Sequence, residues 1–276
     1  MRYGLIGCGS MGSAIVTGAC ASGCLAPSDL HLLNRSADKA DALADALGGC
    51  AHRDFGDLLD ALEGDGVIIL AVKPHQILDV VAELGNGIDG VSLVSVAAGI
   101  ELSSLAQAAP RDHPFARAMP NVAASVGRST TGLAFNDYVP QRHRQAVIDL
   151  FNGCGTTLVI DEEHFPAFSA LAGCAPAWLS HLIDAFAQAG VAQGLTKSEA
   201  TRAITGAMAG TAALMTDILD AGGNPHTLLD RVCSPGGTTV AGLLAGDDAG
   251  FSRAARAAVA AACARDRALS RATGAS

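Results

Sequence analysis

Two hydrophobic rhythms divide the chain, and they meet near residue 160. Up to that point short apolar, β-rich runs recur: RYGLIG at the start, LHLLN from Leu30, GVIILAV from Gly66, VSLVSVAAG from Val91 and HPFARAM from His113. Between them lie stretches at helical spacing, one from about Met11, one from Ala37 to Leu47, one after Pro74 and one from about Glu101. Strands alternating with helices predict βαβ units, hence an α/β domain built on a parallel sheet covered on both faces.

Beyond about Glu162 the strand pattern stops. Residues 175–194, 196–221 and 250–272 place Ala, Leu, Met and Ile at helical spacing, the last with arginines on its polar side, so the second half is all-α. The boundaries that follow are an α/β domain over 1–160 and a helical domain over 161–276. Gly153 to Gly155 and the acidic DEEH at 161–164 are the expected hinge. Both longest helices are so rich in Ala, Gly and Met that packing with a second subunit is the expected way to cover them. An ordinary monomeric bundle is the alternative, because small side chains also allow helices to approach closely.

The first apolar run leads into LIGCGSMGSAI, which sets Gly7, Gly9 and Gly12 at G-x-G-x-x-G spacing between a strand and a helix. The first glycine permits a tight turn, the second lets backbone approach a pyrophosphate and the third lets the helix pack closely, while the helix N-terminus supplies N–H donors. A dinucleotide is the expected ligand. At the end of the second strand an NAD-binding protein usually carries Asp or Glu for the ribose 2′-hydroxyl. Asn34-Arg35-Ser36 stands there instead. A guanidinium matches phosphate oxygens that a carboxylate would repel, which points to NADP(H) ahead of NAD(H).

Charge and composition narrow the partners. Twenty-seven acidic against eighteen basic residues give a net charge of −9, with no basic stripe and only one Trp and two Tyr for stacking, so nucleic acid is excluded as a partner. Unbroken apolar runs such as Val67 to Val72 fall well short of a membrane span, and MRYGLIG enters the glycine motif without a secretory signal pattern. The expectation is a cytoplasmic protein that does not bind membranes. Eight cysteines, at 8, 20, 24, 50, 154, 174, 233 and 263, form no CxxC pair and read as reduced core thiols. The histidines at 75, 113, 143, 164, 181 and 226 lack a metal spacing such as HExxH, so no metal is expected.

The run CSPGGTTVAG, from Cys233 to Gly242, interrupts the helical half. Pro235 fixes φ, Gly236 and Gly237 relax the turn, and Thr238 or Thr239 is the expected N-cap of the helix that follows. Successive N–H groups at such a helix start make an anion cradle without any cationic side chain.

With LAVKP (Leu70 to Pro74), SVAAGI (Ser95 to Ile100), RAMPN (Arg117 to Asn121), GVAQGL (Gly190 to Leu195) and SPGGTTVAGL (Ser234 to Leu243), the chain resembles the pyrroline-5-carboxylate reductase family over nearly its whole length. That resemblance implies a Rossmann-type N-terminal domain and a helical C-terminal domain that interlocks with its copy in a homodimer, itself often assembled further. It implies reduction of a small-molecule cyclic imine carboxylate by NAD(P)H. Gly7, Gly9, Ser10, Met11 and Gly12, with Asn34, Arg35 and Ser36, would hold the dinucleotide. Ala71, Val72, Lys73 and Pro74, then Ala97, Ala98 and Gly99, then Met119, Pro120 and Asn121, would line its nicotinamide end. Ser234, Gly236, Gly237, Thr238 and Thr239 would bind the substrate, with Thr239 as the catalytic candidate that orients the imine nitrogen. Lys73 at a strand end reads as shaping the cofactor cleft.

Three loops depart from the family pattern. MPNTP is here Met119-Pro120-Asn121-Val122-Ala123, SGSGPAY is Ala172-Gly173-Cys174-Ala175-Pro176-Ala177-Trp178, and Gly223-Asn224 precede Pro225 where an acidic residue and a His are usual. Imines of the pyrroline-2-carboxylate or piperideine type therefore stay open as substrates, as does a non-catalytic NADP-binding paralogue. A β-hydroxyacid dehydrogenase-like reaction needs a helix-borne lysine as proton donor. Lys197, read as lying between two helices, argues against it.

Overall fold

The computed structural model describes residues 1–109 and 112–274. They form two compact units, Met1–Pro176 together with the C-terminal stretch from Ala261, and Ala177–Ala260.

The first unit opens with β1 (Arg2–Ile6), α1 (Ser10–Ala21), β2 (Leu30–Leu33), α2 (Ala37–Leu47), β3 (Cys50–Ala51) and α3 (Phe55–Leu62). It continues through β4 (Gly66–Leu70), α4 (Ile77–Leu84), β5 (Val91–Ser95), α5 (Leu102–Ala108) and β6 (Phe115–Met119). β7 (Ser129–Phe135), α6 (Gln141–Asn152), β8 (Gly155–Val159) and α7 (Phe165–Phe168) complete it. The strands lie in the order β3-β2-β1-β4-β5-β6-β7-β8. From β1 the chain works outward on one side to β3, then returns to place β4 on the other side of β1. That reversal opens a crevice at the strand C-termini, as in Rossmann-type folds.

Why the central strands read as unbroken apolar runs is visible in the core. Leu5, Val67, Ile69 and Val94 enter one buried cluster, while Ile6, Ile68, Leu70 and Leu93 enter another. Successive side chains point to opposite faces, and both faces are covered, so apolar residues follow one another along these strands, with Ser92 and Ser95 of β5 as buried polar exceptions.

The sheet is parallel except at one pairing near its edge. β6 and β7 pair antiparallel, and β8 then pairs parallel to β7. Residues 120–128 between β6 and β7 hold only a 3₁₀ turn, Val122–Val126, and a parallel return needs a crossover of a dozen residues or more. Gly153 to Gly155 are also not at the division between the units. They join α6 to β8, where a Cβ on Gly155 would lie 1.9 Å from the Ser129 carbonyl oxygen, so this glycine serves close strand approach.

α8 (Ala175–Ala192) begins at the division, and α9 (Lys197–Asp220), α10 (Pro225–Val232) and α11 (Thr238–Asp248) follow in the second unit. α12 (Phe251–Gly274) starts there and ends in the first. α9 opens on a capping box in which Thr196 Oγ1 accepts from the Glu199 N–H and Glu199 Oε2 accepts from the Thr196 N–H. Much of this unit's apolar surface is open: Phe186, Leu214, Leu219, Leu243, Leu244 and Phe251 are all exposed.

Unbroken apolar runs understated one segment. Glu162–Ala192 is a continuous helical stretch of 31 residues with a hydropathy of 1.2 in its most apolar window, long and apolar enough to cross a membrane by length and composition. Only 17% of that window is buried. The expected core thiols are likewise fewer than eight. Cys8 and Cys154 are buried, with burial pushing each thiol up to about 11, whereas Cys24 and Cys50 are exposed and the other four are half-buried.

Candidate functional site

The glycine turn after β1 is built by contact distances that only glycine tolerates. Gly7 sits at φ +105°, and a Cβ there would meet the Ala71 and Val72 backbone at 2.7–2.8 Å. A Cβ on Gly12 would lie 2.3 Å from the Gly7 carbonyl oxygen, so the third glycine lets α1 close onto the turn. Gly9 differs: nothing stands within 4 Å of the place its Cβ would take, which leaves open space over the helix start. It occupies the N-cap position of α1, whose first turn carries no acidic residue. The free N–H groups of that turn therefore face a space suited to an anion.

Asn34 couples this turn to β2. Its Oδ1 accepts from the Cys8 N–H at 3.0 Å, and its Nδ2 donates to the Ser36 carbonyl at 3.0 Å. That side chain shapes the loop, and Arg35 stands exposed beside it.

A cleft of about 1140 Å³ runs along the strand C-termini. Of the residues read from the sequence, it gathers Gly7, Gly9, Ser10, Met11, Asn34, Arg35, Ser36, Ala71, Val72, Lys73, Pro74, Ala97 and Ala98. Gly12 lies buried beneath it, and Gly99, at φ +76°, faces Leu269 with a Cβ-to-Cβ approach of 3.7 Å. Met119, Pro120 and Asn121 are not among its walls. Asn121 is buried and fully employed: Nδ2 donates to the Ala172 carbonyl at 3.0 Å and Oδ1 accepts from the Ala123 N–H at 3.0 Å. In place of that trio the wall holds Val122 and Ser125 from the 3₁₀ turn that follows.

Sequence reading also missed Lys39, Arg53, Asp54 and Phe55, which close the Arg35 end of the cleft. Arg53 follows a strand of two residues, too short to show a period, and is held by Asp41 at 2.9 Å. Lys39 lies one turn into α2, where a charged residue looks like any solvated helix position.

In the second unit, Ser234–Thr239 forms the turn between α10 and α11. Gly236 adopts φ +69°, and a Cβ on Gly237 would fall 2.4 Å from Ser234 Oγ, so both glycines are required. The N-cap is Gly237, not a threonine. Thr238 and Thr239 are the first two helical residues, because the first helical bond runs from the Ala241 N–H to the Gly237 carbonyl at 3.2 Å. The N–H groups of Thr238, Thr239 and Val240 thus lack an intrahelical acceptor. Both threonine side chains are exposed.

Lys197 is the first residue of α9 instead of lying between helices, and its ammonium pairs with Asp184 of α8. Hydrogen bonds from Lys197 and then Gln188 hold the Asp184 carboxyl below its ordinary value. The expected position between two helices is thus corrected to the first turn of α9, facing α8. Among the histidines, His143 is 1% exposed and bridges Ser92 Oγ (2.6 Å) and Asp65 Oδ1 (2.8 Å). Ser92 is wholly buried at the N-terminal end of β5, so this Ser–His–Asp chain fastens α6 to the sheet. Asp161, Glu163 and His164 bring ligand atoms within 4.8 Å of one another, all three exposed, as surface acidic groups commonly do without a metal.

Comparison with known proteins accords with this geometry. Residues 162–269 match the family described as pyrroline-5-carboxylate reductase dimerisation, and residues 2–99 match the family described as NADP oxidoreductase coenzyme F420-dependent. The apolar stretch Glu162–Ala192 thus lies inside the segment matched to a dimerisation family. The chain is 34% identical to pyrroline-5-carboxylate reductase of Escherichia coli, over 92% of each chain. Its fold is similar to that of the Streptococcus pyogenes 1-pyrroline-5-carboxylate reductase, with TM-score 0.81 and 32% identity, covering 97% of this chain and 98% of that one. A pyrroline-5-carboxylate reductase from Coxiella burnetii gives TM-score 0.90 at 28% identity, covering 98% of both chains.

Proposed function

The chain belongs to the pyrroline-5-carboxylate reductase family, and from that premise we propose that it reduces 1-pyrroline-5-carboxylate to proline with NADPH. One observation carries the reading: the likeness to a pyrroline-5-carboxylate reductase runs across 92% of the chain, and the two family matches, residues 2–99 and 162–269, take in the glycine turn and the Ser234–Thr239 turn. The open space over Gly9 and the closed contact at Gly12 fit a pyrophosphate at the start of α1.

When bound, NADPH supplies a hydride to the imine carbon. The protein's residues do the rest. Ser10 and Met11 present the first α1 amides to the pyrophosphate. Arg35 and Ser36 take the 2′-phosphate, with Lys39 and Arg53 adding positive charge at the same end. Ala71, Val72, Lys73 and Pro74, with Ala97 and Ala98, wall the nicotinamide side of the cleft. Gly99, Met119, Pro120 and Asn121 shape that wall from behind. In the second unit Ser234, Gly236, Gly237 and Thr238 hold the substrate carboxylate on the free α11 amides, which explains why the turn carries no lysine or arginine.

Thr239 orients the ring nitrogen through its hydroxyl. A protonated cyclic imine is already a strong acceptor, so holding the reactants in line is the larger part of catalysis. Residues 161–276 serve dimerisation and substrate binding, residues 1–160 bind the dinucleotide, and the enzyme works as a cytoplasmic homodimer without nucleic-acid or membrane partners.

The test is steady-state oxidation of NADPH and NADH with a panel of five- and six-membered cyclic imine carboxylates. Turnover highest with 1-pyrroline-5-carboxylate and NADPH is expected. Tight NADPH binding without turnover of any imine would reduce the protein to a dinucleotide-binding paralogue.

A further inference from the structure

Arg117 of β6 is a buried cation that the chemistry above does not use. Its side chain is 4% exposed, its guanidinium carbon lies 4.5 Å from the centre of the buried Phe165 ring, and Nη1 donates to Glu162 Oε1 at 3.1 Å. The same carboxylate oxygen accepts the backbone N–H of Leu102 at 2.8 Å. Leu102 is the first residue of α5, and the N-cap residue, Glu101, makes no side-chain cap bond there among the described residues. Glu162 therefore caps α5 from sixty residues further along the chain.

The position of that cap matters. Between β5 and α5 runs the turn 96–101, which supplies Val96, Ala97 and Ala98 to the cleft. At its start the Ala97 N–H donates to Ser95 Oγ at 3.3 Å, and Ser95 is the residue paired with Arg117 across the sheet. At its end the Leu102 N–H is held by Glu162. Arg117 thus stands between both anchors. The guanidinium is buried and the carboxylate only partly exposed, so this charge-assisted bond is less screened than a pair in open solvent.

We propose that Arg117 and Glu162 are a positioning pair that sets the 96–101 turn, and through it the depth at which the nicotinamide ring lies in the cleft. Neither residue touches the reacting atoms. Asp266 of α12 belongs to the same surroundings: burial raises its carboxyl above the ordinary value, with the Arg117 charge opposing and Glu101 adding to the rise. The inference rests on the proposed reductase reading only for the identity of the reaction.

The experiment compares the full-length wild type with Glu162→Ala, Glu162→Gln and Arg117→Leu. It measures kcat, NADPH affinity by fluorescence, thermal midpoint, and amide hydrogen exchange at Leu102 without cofactor. In Glu162→Ala, Leu102 should exchange at least about tenfold faster, local opening being what exchange reports. kcat should fall about 10- to 100-fold while NADPH affinity changes by less than about threefold, since small misplacements act on the reacting geometry and not on the phosphate anchors. Glu162→Gln keeps the acceptor and should retain most of the Leu102 protection and of kcat. Arg117→Leu should follow Glu162→Ala. Glu162 is partly exposed, so its variants decide the matter if Arg117→Leu does not fold. A folded Glu162→Ala with unchanged kcat and unchanged Leu102 exchange would overturn the proposal, as would a lowered thermal midpoint with kcat intact. An inactive wild type would instead remove the reductase reading, and Leu102 exchange would still judge the pair.

Discussion

The two units solve the same problem, covering apolar surface, in different ways. In the first, Leu5, Ile68, Ile69 and Leu93 are wholly buried beneath the unit's own helices, and Gly7, Gly12 and Gly155 allow close backbone approach within it. In the second, Ala187, Ala200 and Ile218 are buried while Leu214, Leu243 and Leu244 stand 48–64% exposed. Exposed apolar patches of that kind commonly mark surfaces that meet another molecule. The first unit carries its core with it, whereas the second leaves apolar side chains exposed within a segment matched to a dimerisation family.

The strongest way to break that contrast on the first unit's side is Gly12→Val. A branched side chain set 2.3 Å from the Gly7 carbonyl oxygen must push α1 away from the turn, so NADPH binding should be lost in a fluorescence titration while the helical unit keeps its far-UV signal. On the other side, Leu244→Glu places a charge in the exposed apolar surface. If this surface pairs two copies, the substitution should weaken pairing by about 2 kcal/mol, the scale of a central interface residue, and light scattering should show a lower mass than the wild type at the same concentration. An unchanged mass would return the unit to the status of a monomeric bundle.

Smaller effects sharpen the assignment of ends. Arg35→Ala should weaken NADPH by about 1.5–3 kcal/mol, the range for a hydrogen bond to a charged group, and leave NADH affinity unmoved. Equal losses for both cofactors would take the 2′-phosphate away from Arg35. Thr239→Ala should lower kcat/KM by about 1 kcal/mol, the net worth of one neutral hydrogen bond, with NADPH affinity constant. An unaltered rate would remove Thr239 from the chemistry.

The smallest effect concerns pH. His31 is buried with its Nδ1 3.0 Å from His52 Nε2, and burial, then the His52 and Arg2 charges, lower its pKa from the ordinary 6.5. Above that value neither the folded nor the unfolded chain binds the proton, so the group does not alter stability. As pH falls below it, the unfolded chain takes up the proton that the folded ring resists, and stability declines. His31→Asn should flatten the fall in thermal midpoint between neutral and mildly acidic pH, and an identical slope would exonerate the pair.

Much of this organisation is legible in the chain itself. The helix over Ala37–Leu47, the strands from Gly66 and Val91 and the long helices after residue 175 follow from period and apolar runs, because burial on a regular element repeats with its geometry. The glycine turn is legible too, since positive φ and sub-van-der-Waals approach leave one residue type. What escaped was set by partners distant in sequence. β3 is two residues long, β7 follows a 3₁₀ turn, and Arg53, paired with Asp41 of α2, lines the cleft from just beyond that short strand.

Local pattern determined the element types, the dinucleotide turn and the glycine-bearing helix start at Thr238, because each is a property of a few consecutive residues. Tertiary structure alone decided that Asn34 is a loop brace, that Asn121 is consumed by Ala172 and Ala123, and that Glu162 caps a helix sixty residues before it. The physical reason is the same in each case. A side chain's donors and acceptors are fixed by its chemistry, but which of them remain free for a ligand depends on what the fold brings within 3 Å.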